Sequence, residues 1–415
     1  MRRSVLALII GVLAAVCAIT LHVTGLLAPF EGAISRAISH GAPLTAVGLV
    51  WQSAITLVLS LATSWLISVS LRRGRVAWLL IALLVELAAL AWICALYHLL
   101  FQPLPAMVAI VLAYAATEAS MLISSRTRSH VVRTFFADQL SKKQTRRLIE
   151  GEIPFDPAPR MHEATVVVCD IANKYDLAEE SEPAVFAATT EAFIRRTTDL
   201  LLEADGYIQA ADGEGVVAIF GFPDGNPDHA DKAVRVTLGV LEKFREKRQQ
   251  NNGDRFAKCD VHVGVSSGTI VVAPFQNGQR GGLLTMGEPV ELARRFCVAN
   301  RFYGSRILIG PRTFELASKH IVARPIDFLS GVNSQERHEI YEPLWLATEA
   351  KPEHIARRDF FWNGVVLYRE KRWAEAYNEF QKARGPDGDD DAPLQLYLRR
   401  LETLALHLTT APEIG

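Results

Sequence analysis

Two acidic residues stand where short apolar runs end. Asp170 closes ATVVVCDI, a β-branched run that begins at Ala164, and Glu214 sits in the turn AADGEG just before VVAIF. Carboxylates at the ends of adjacent strands can reach the same divalent cations. By residue type alone, a strand-end cap at Asp170 and a turn residue at Glu214 are the stronger readings. Other candidate chemistry is thinner. Glu86 and Glu118 fall inside apolar stretches, where an ionised group is costly. A proton path or ligand site can use such residues, but a protonated or paired carboxyl facing the interior of a helix bundle accounts for them more simply. Cys17, Cys94, Cys169, Cys259 and Cys297 form no C-x-x-C and no zinc-spaced cluster. They read as reduced packing cysteines in a cytosolic setting. The acidic run GPDGDDDAP lacks the calcium-loop pattern and reads as a solvated turn.

The elements that must hold these residues come in two solvents. The chain has 415 residues, enough for two or three domains, and nearly all its Lys, Arg, Asp and Glu follow residue 125. The net charge of -1 therefore says little about partners, and no strongly basic domain points to nucleic acid. Residues 1–125 hold four stretches apolar enough to cross a bilayer, Val5–Leu27, Leu44–Leu71, Val76–Leu99 and Leu104–Ser124. The first is too long for a signal peptide and lacks a clear cleavage site, and three more spans follow. Arg2 and Arg3 precede span one, Arg72, Arg73 and Arg75 separate spans two and three, and seven Lys or Arg from Arg126 to Arg147 follow span four. Positive residues remain on the cytoplasmic side, which places both termini in the cytosol of a cell with these spans in its inner membrane.

Residues 126–160 form a connector. Val131–Glu150 reads as one amphipathic helix, with Val132, Phe135, Phe136, Leu140 and Leu148 at near-helical spacing, ended by the proline-rich Gly151–Arg160. It is equally a signalling stalk and a plain linker. Residues 161–348 then alternate strand and helix: helices at Pro183–Ala204, His229–Arg248 and Pro289–Phe302, and strands at Tyr207–Gln209, Gly215–Phe220 and Arg306–Ile309. Val261–Ser266 and Thr269–Ala273 read as a hairpin about Gly268. The expected architecture is α+β, with helices on a sheet.

Five motifs in order resemble the catalytic domain of class III adenylate and guanylate cyclases. They are VVVCDI, ADGEGVVAIFGFP, HADKAVRVTLGVLEKF, VHVGVSSGTIVVAPF, and LLTMGEPVELARRF with YGSRILIGPRTFELA. The resemblance covers about residues 135–345 and implies a ferredoxin-like α+β fold. It further implies a dimer in which the metal acids of one chain work with the arginine and base selectors of the other. Asp170 and Glu214 match the metal acids, with Ile171 beside the first, which implies two Mg2+ or Mn2+ ions per site. Arg295 matches the transition-state arginine.

Other positions depart from the family. The second metal acid is usually Asp. The phosphate-cradling loop reads Asn173, Lys174, Tyr175 where a small Gly is usual. Glu291 replaces the asparagine that orients ribose and phosphate, and Arg295, one turn away, is its candidate ion partner. Ala210 and Leu284 replace the base selectors, and neither hydrogen-bonds a purine. Ser330-Gly331-Val332 stands where a late phosphate lysine is expected.

Residues 349–415 form a helical tail, and FFWNGVVLYREKRWAEAYNEFQKA is similar to one helix pair of a tetratricopeptide-type repeat. The resemblance implies a membrane-anchored purine nucleotide cyclase converting ATP, or less readily GTP, into cyclic nucleotide and pyrophosphate. The depleted site leaves open a pseudo-cyclase that dimerises or senses nucleotide. The expected partners are ATP or GTP, the lipid bilayer, and a second cyclase chain in a homodimer or heterodimer.

Overall fold

The computed structural model describes residues 2–39, 45–69, 73–250, 259–277, 280–332, 336–385 and 391–410. The chain divides into two compact units, Met1–Thr127 and Arg128–Gly415.

The first unit is helical: α1 (Arg2–Val23), α2 (Ala28–Ser39), α3 (Leu49–Val69), α4 (Arg73–Leu96) and the beginning of α5 (Leu104–Phe136). The two-residue strands β1 (Thr45–Ala46) and β2 (Leu99–Leu100) pair in parallel. Four helices are long and apolar enough to cross a membrane, at Val5–Val23, Leu49–Val69, Val76–Leu96 and Leu104–Phe136. The first ends four residues before the expected Leu27, because the chain turns at Gly25 with φ 77°. The amphipathic α2 follows, between the first two expected spans.

Polarity inside this unit is inverted relative to a water-soluble bundle. Gln52, Thr56, Ser60, Thr63 and Ser64 are buried along α3, while Val50, Trp51 and Trp78 are exposed. Small and polar residues at helix contacts are what packing in lipid favours. Ser60 donates to the Gly11 carbonyl at 2.7 Å, and a Cβ on Gly11 would lie 3.1 Å from the α3 backbone. The expectation that both intramembrane glutamates face the interior fails for Glu86, which is exposed, whereas Glu118 is half-buried.

In the second unit the expected single helix over Val131–Glu150 is two. The helix α5 stops at Phe136, Ala137 takes φ 42°, and α6 (Lys142–Glu150) restarts with Ser141 accepting the Gln144 amide. The break lets Val132, Phe136, Leu140, Leu148 and Ile153 all enter one core. Gly151, at φ 70°, ends α6.

The eight-stranded sheet runs β4–β5–β3–β6–β8–β10–β9, with β7 also on β6. Its strands are β3 (Arg160–Ile171), β4 (Tyr207–Asp212), β5 (Gly215–Phe220), β6 (Val261–Asn277), β7 (Arg280–Met286), β8 (Ile307–Ile309), β9 (Ile321–Ser330) and β10 (Arg337–Leu346). Within this sheet, among the described residues, only β6 and β8 pair in parallel.

The continuous apolar run of β3 follows from burial on both faces. Val167, Cys169 and Ile171 pack under α8 (Pro183–Glu203) and α9 (His229–Gln250). Ala164, Val166 and Val168 pack under the end of α5, α6 and α10 (Glu288–Tyr303). Each buried valine contributes about 1.5–3 kcal/mol.

The expected hairpin about Gly268 does not form. Gly268 pairs with Ala164 in mid-strand, β6 runs on to Asn277, and its antiparallel return is β7. Glycine marks close approach here, not a turn. At Gly264, likewise, an added Cβ would sit 2.0 Å from the Ala293 carbonyl and 2.4 Å from the Cys297 amide, so α10 lies directly on β6.

Beyond the short α11 (Pro311–Ala317), the tail forms α12 (Pro352–Arg369), α13 (Trp373–Lys382) and α14 (Ala392–Thr410). Phe361, Val365, Phe380 and Tyr397 share one core with Phe296 of α10 and Ile326 of β9. The buried Arg324 locks this junction. Its guanidinium donates to Glu342 at 2.7 and 2.9 Å and to Asp391 at 2.6 and 2.7 Å.

Candidate functional site

The β3–β5 register sets Cys169 against Val216, which brings Asp170 beside the tight turn that carries Glu214. Gly215 makes the approach possible: at φ 110°, an added Cβ would lie 2.3 Å from the Cys169 carbonyl. The short helix α7 (Lys174–Glu180) starts immediately after β3. Asn173 accepts the Asp260 amide at 2.9 Å and anchors that start. Lys174, four residues after Asp170, reaches back so that its Nζ lies 3.0 Å from Asp170 Oδ2 and 3.3 Å from Glu214 Oε2. The Ile171 amide donates to Asp170 Oδ1 at 2.8 Å, while the Ile171 side chain is core.

Burial raises the Asp170 carboxyl above its ordinary value, although Lys174 and the Ile171 amide pull it down. Burial lowers Lys174, but the two carboxylates more than reverse this and hold it above its ordinary value. The ammonium is therefore charged at neutral pH.

These contacts decide the fit to a divalent ion. Two carboxylates suit a hard cation, yet both Asp170 oxygens are engaged, and an ammonium stands between the acids. In this arrangement the cluster does not accommodate a metal ion.

A second group gathers along β7 and α10. An open cleft of about 410 Å³ is lined by Thr285, Met286, Glu288, Glu291, Val332 and Glu336 among others. Glu288, Glu336 and His338 bring their ligand atoms within 4.8 Å of one another, with His338 Nε2 3.3 Å from Glu288 Oε1. Leu284 is exposed on β7 opposite Ala273, and Ala210 is half-buried on β4 against the core. Arg295 does not take Glu291 as its partner. Its Nη1 donates to the Ser330 carbonyl at 3.3 Å and also to the Gly331 carbonyl, which ties α10 to the end of β9.

Residues 157–318 match the family model of the adenylate and guanylate cyclase catalytic domain. This segment is a class III cyclase domain. The chain is 24% identical over 225 residues to "Adenylate cyclase 1" of Rhizobium meliloti (strain 1021), covering 54% of this chain and 34% of that protein. It is 27% identical over 146 residues to "Adenylate cyclase" of Anabaena cylindrica, covering 35% of this chain and 29% of that protein. The chain thus spans about a third of the length of the curated relatives it matches. Among solved structures, the adenylyl cyclase CyaB from P. aeruginosa aligns with a TM-score of 0.41 at 21% identity, over 46% of this chain and 99% of that one.

The cyclase domain brings Asp170, Ile171, Asn173, Lys174 and Glu214 into one cluster at the strand ends. It sets Leu284 and Glu291 along the β7–α10 edge and Arg295 one turn farther along α10, while Ala210 packs against the core. Sequence reasoning did not find Glu288, Glu336 and His338 as a group. Glu336 and His338 are two residues apart, but Glu288 lies 48 residues before Glu336, and no spacing signals the meeting of all three. The four-residue spacing of Asp170 and Lys174 does not signal their ion pair either, because Asp170 lies on β3 and only Lys174 on a helix.

Proposed function

We propose that this chain is a membrane-anchored signalling protein whose cyclase domain works as a dimerising regulatory module and not as a self-sufficient cyclase. The cleft beside α10 carries the reading. Glu288, Glu291 and Glu336 line it, so a purine triphosphate would bring its negative charge against three carboxylates. The exposed Leu284 and half-buried Ala210 offer a base no hydrogen bond. The four apolar helices sit in the cell inner membrane as residues 1–125, with both termini cytoplasmic. Residues 126–160 carry the signal, residues 161–348 dimerise with a second cyclase chain, and the tail at 349–415 packs like a tetratricopeptide helix pair.

A second reading is conversion of ATP into cyclic AMP and pyrophosphate. It is favoured by the meeting of Asp170 with Glu214 and by relatives named adenylate cyclases. A heterodimer partner would then supply base selection.

The test uses the full chain in lipid nanodiscs with ATP or GTP and Mn2+ or Mg2+, with cyclic product read by mass spectrometry. The regulatory reading expects a folded dimer and no product. Product that disappears in Asp170→Ala sinks it in favour of the second. Combining Glu291→Asn, Ala210→Lys and Leu284→Asp is expected to introduce nucleotide binding.

A further inference from the structure

We propose that Lys174 is a built-in counter-ion that takes the cation position between Asp170 and Glu214, so that a divalent ion enters this pair only by expelling the lysine. The inference concerns the acid pair and does not rest on the regulatory reading.

The geometry separates this contact from an ordinary surface ion pair. One ammonium bridges two acids from different strands, at 3.0 and 3.3 Å. The Lys174 side chain is only 17% exposed, while Glu214, at 82%, reaches in from solvent to meet it. Lys174 is also placed by backbone, since Asn173 fixes the start of α7 on the Asp260 amide and Leu177 of α7 is buried in the core. The remaining Asp170 oxygen already accepts the Ile171 amide.

Charge accounting points the same way. Two carboxylates less one ammonium leave a single negative charge at the cluster, half of what a divalent ion would meet without the lysine. An ion that entered with Lys174 still in place would face an ammonium at contact distance in a partly desolvated site, where repulsion is strong. Lys174 therefore halves the charge of the acid pair from within the domain. Cation binding here becomes an exchange reaction, with Lys174 leaving as the ion arrives.

Mn2+ titration of the full chain in nanodiscs tests this, with the aqueous Mn2+ signal followed by electron paramagnetic resonance. Lys174→Met is expected to bind Mn2+ at least ~10-fold more tightly than wild type. Lys174→Arg, which keeps the charge, should stay near wild type. Adding Asp170→Asn to Lys174→Met should remove the gain. Lys174→Gln repeats the comparison if the methionine variant does not fold. Equal titration of wild type and the uncharged variants overturns the proposal. So does a gain that survives Asp170→Asn, because the ion then sits elsewhere, for instance at Glu288, Glu336 and His338. Cyclic product from Lys174→Met would overturn the regulatory reading while leaving the counter-ion in place.

Discussion

Two clusters in the second unit share a composition, one cation between two carboxylates, and they behave as opposites. Around Arg324 the arginine, Glu342 and Asp391 side chains are 7%, 11% and 34% exposed. Around Lys174 the lysine, Asp170 and Glu214 side chains are 17%, 25% and 82% exposed. Arg324 presents a planar fork that engages both acids through paired N–H groups, whereas Lys174 offers a point charge on a flexible stem. The first cluster joins the sheet to the tail through Asp391 and also stacks on Phe361 at 4.4 Å. The second touches solvent and joins the start of α7 to neighbouring strand ends. Burial and bidentate geometry make one a structural joint, and exposure makes the other exchangeable.

Breaking the buried cluster should have the largest effect. Arg324→Met leaves Glu342 and Asp391 without their cation and should cost about 3–5 kcal/mol, measured by thermal or urea unfolding of the full chain. Arg324→Lys keeps the charge but loses the fork, and should fall between that variant and wild type. Lys174→Met should cost less than ~1 kcal/mol, because solvent reaches Glu214 and replaces the lost partner. Equal losses at Arg324 and Lys174 would erase the distinction between joint and exchangeable pair.

The smallest effect is on pH dependence. The Asp170 carboxyl sits above its ordinary value in the folded state because of burial. The folded chain therefore binds the extra proton. This group's contribution favours folding at low pH and is lost as pH rises through its folded value, beginning near the ordinary ~4. Lys174→Met removes the charge that restrains Asp170, so its stability should fall more steeply over that interval. Asp170→Asn should flatten the slope in either background, as read from unfolding midpoints across pH.

Much of this fold was legible because burial leaves a compositional mark. VVVCDI reads as a strand covered on both faces, and the four spans read from apolar length. What escaped has a physical reason in each case. Gly268 has the composition of a turn but lies in mid-strand, with the Pro289 ring close against it. The strand β7, GGLLTM at its core, carries no alternation to mark it. The helix α7 is too short for a periodic signal, and with it went the angle from which Lys174 reaches back. The acids Asp170 and Glu214 were found by their positions at strand ends. The ammonium between them depends on a rotamer and a helix start that the sequence does not spell out. The partner of Arg295 was misplaced because a carbonyl acceptor at Gly331 has no side-chain signature.

Gly264 has a consequence for the reach of single mutations. With no side chain on β6 at that point, α10 rests against the sheet backbone, and every residue on the helix inherits its height from one missing methyl group. A Gly264→Ala change would act as a shim beneath the whole helix. It would lift Glu291 and Arg295 together while leaving Asp170, Lys174 and Glu214 at their own strand ends. One codon change in a residue that touches no ligand would thus alter the offset between the two halves of the domain's chemistry.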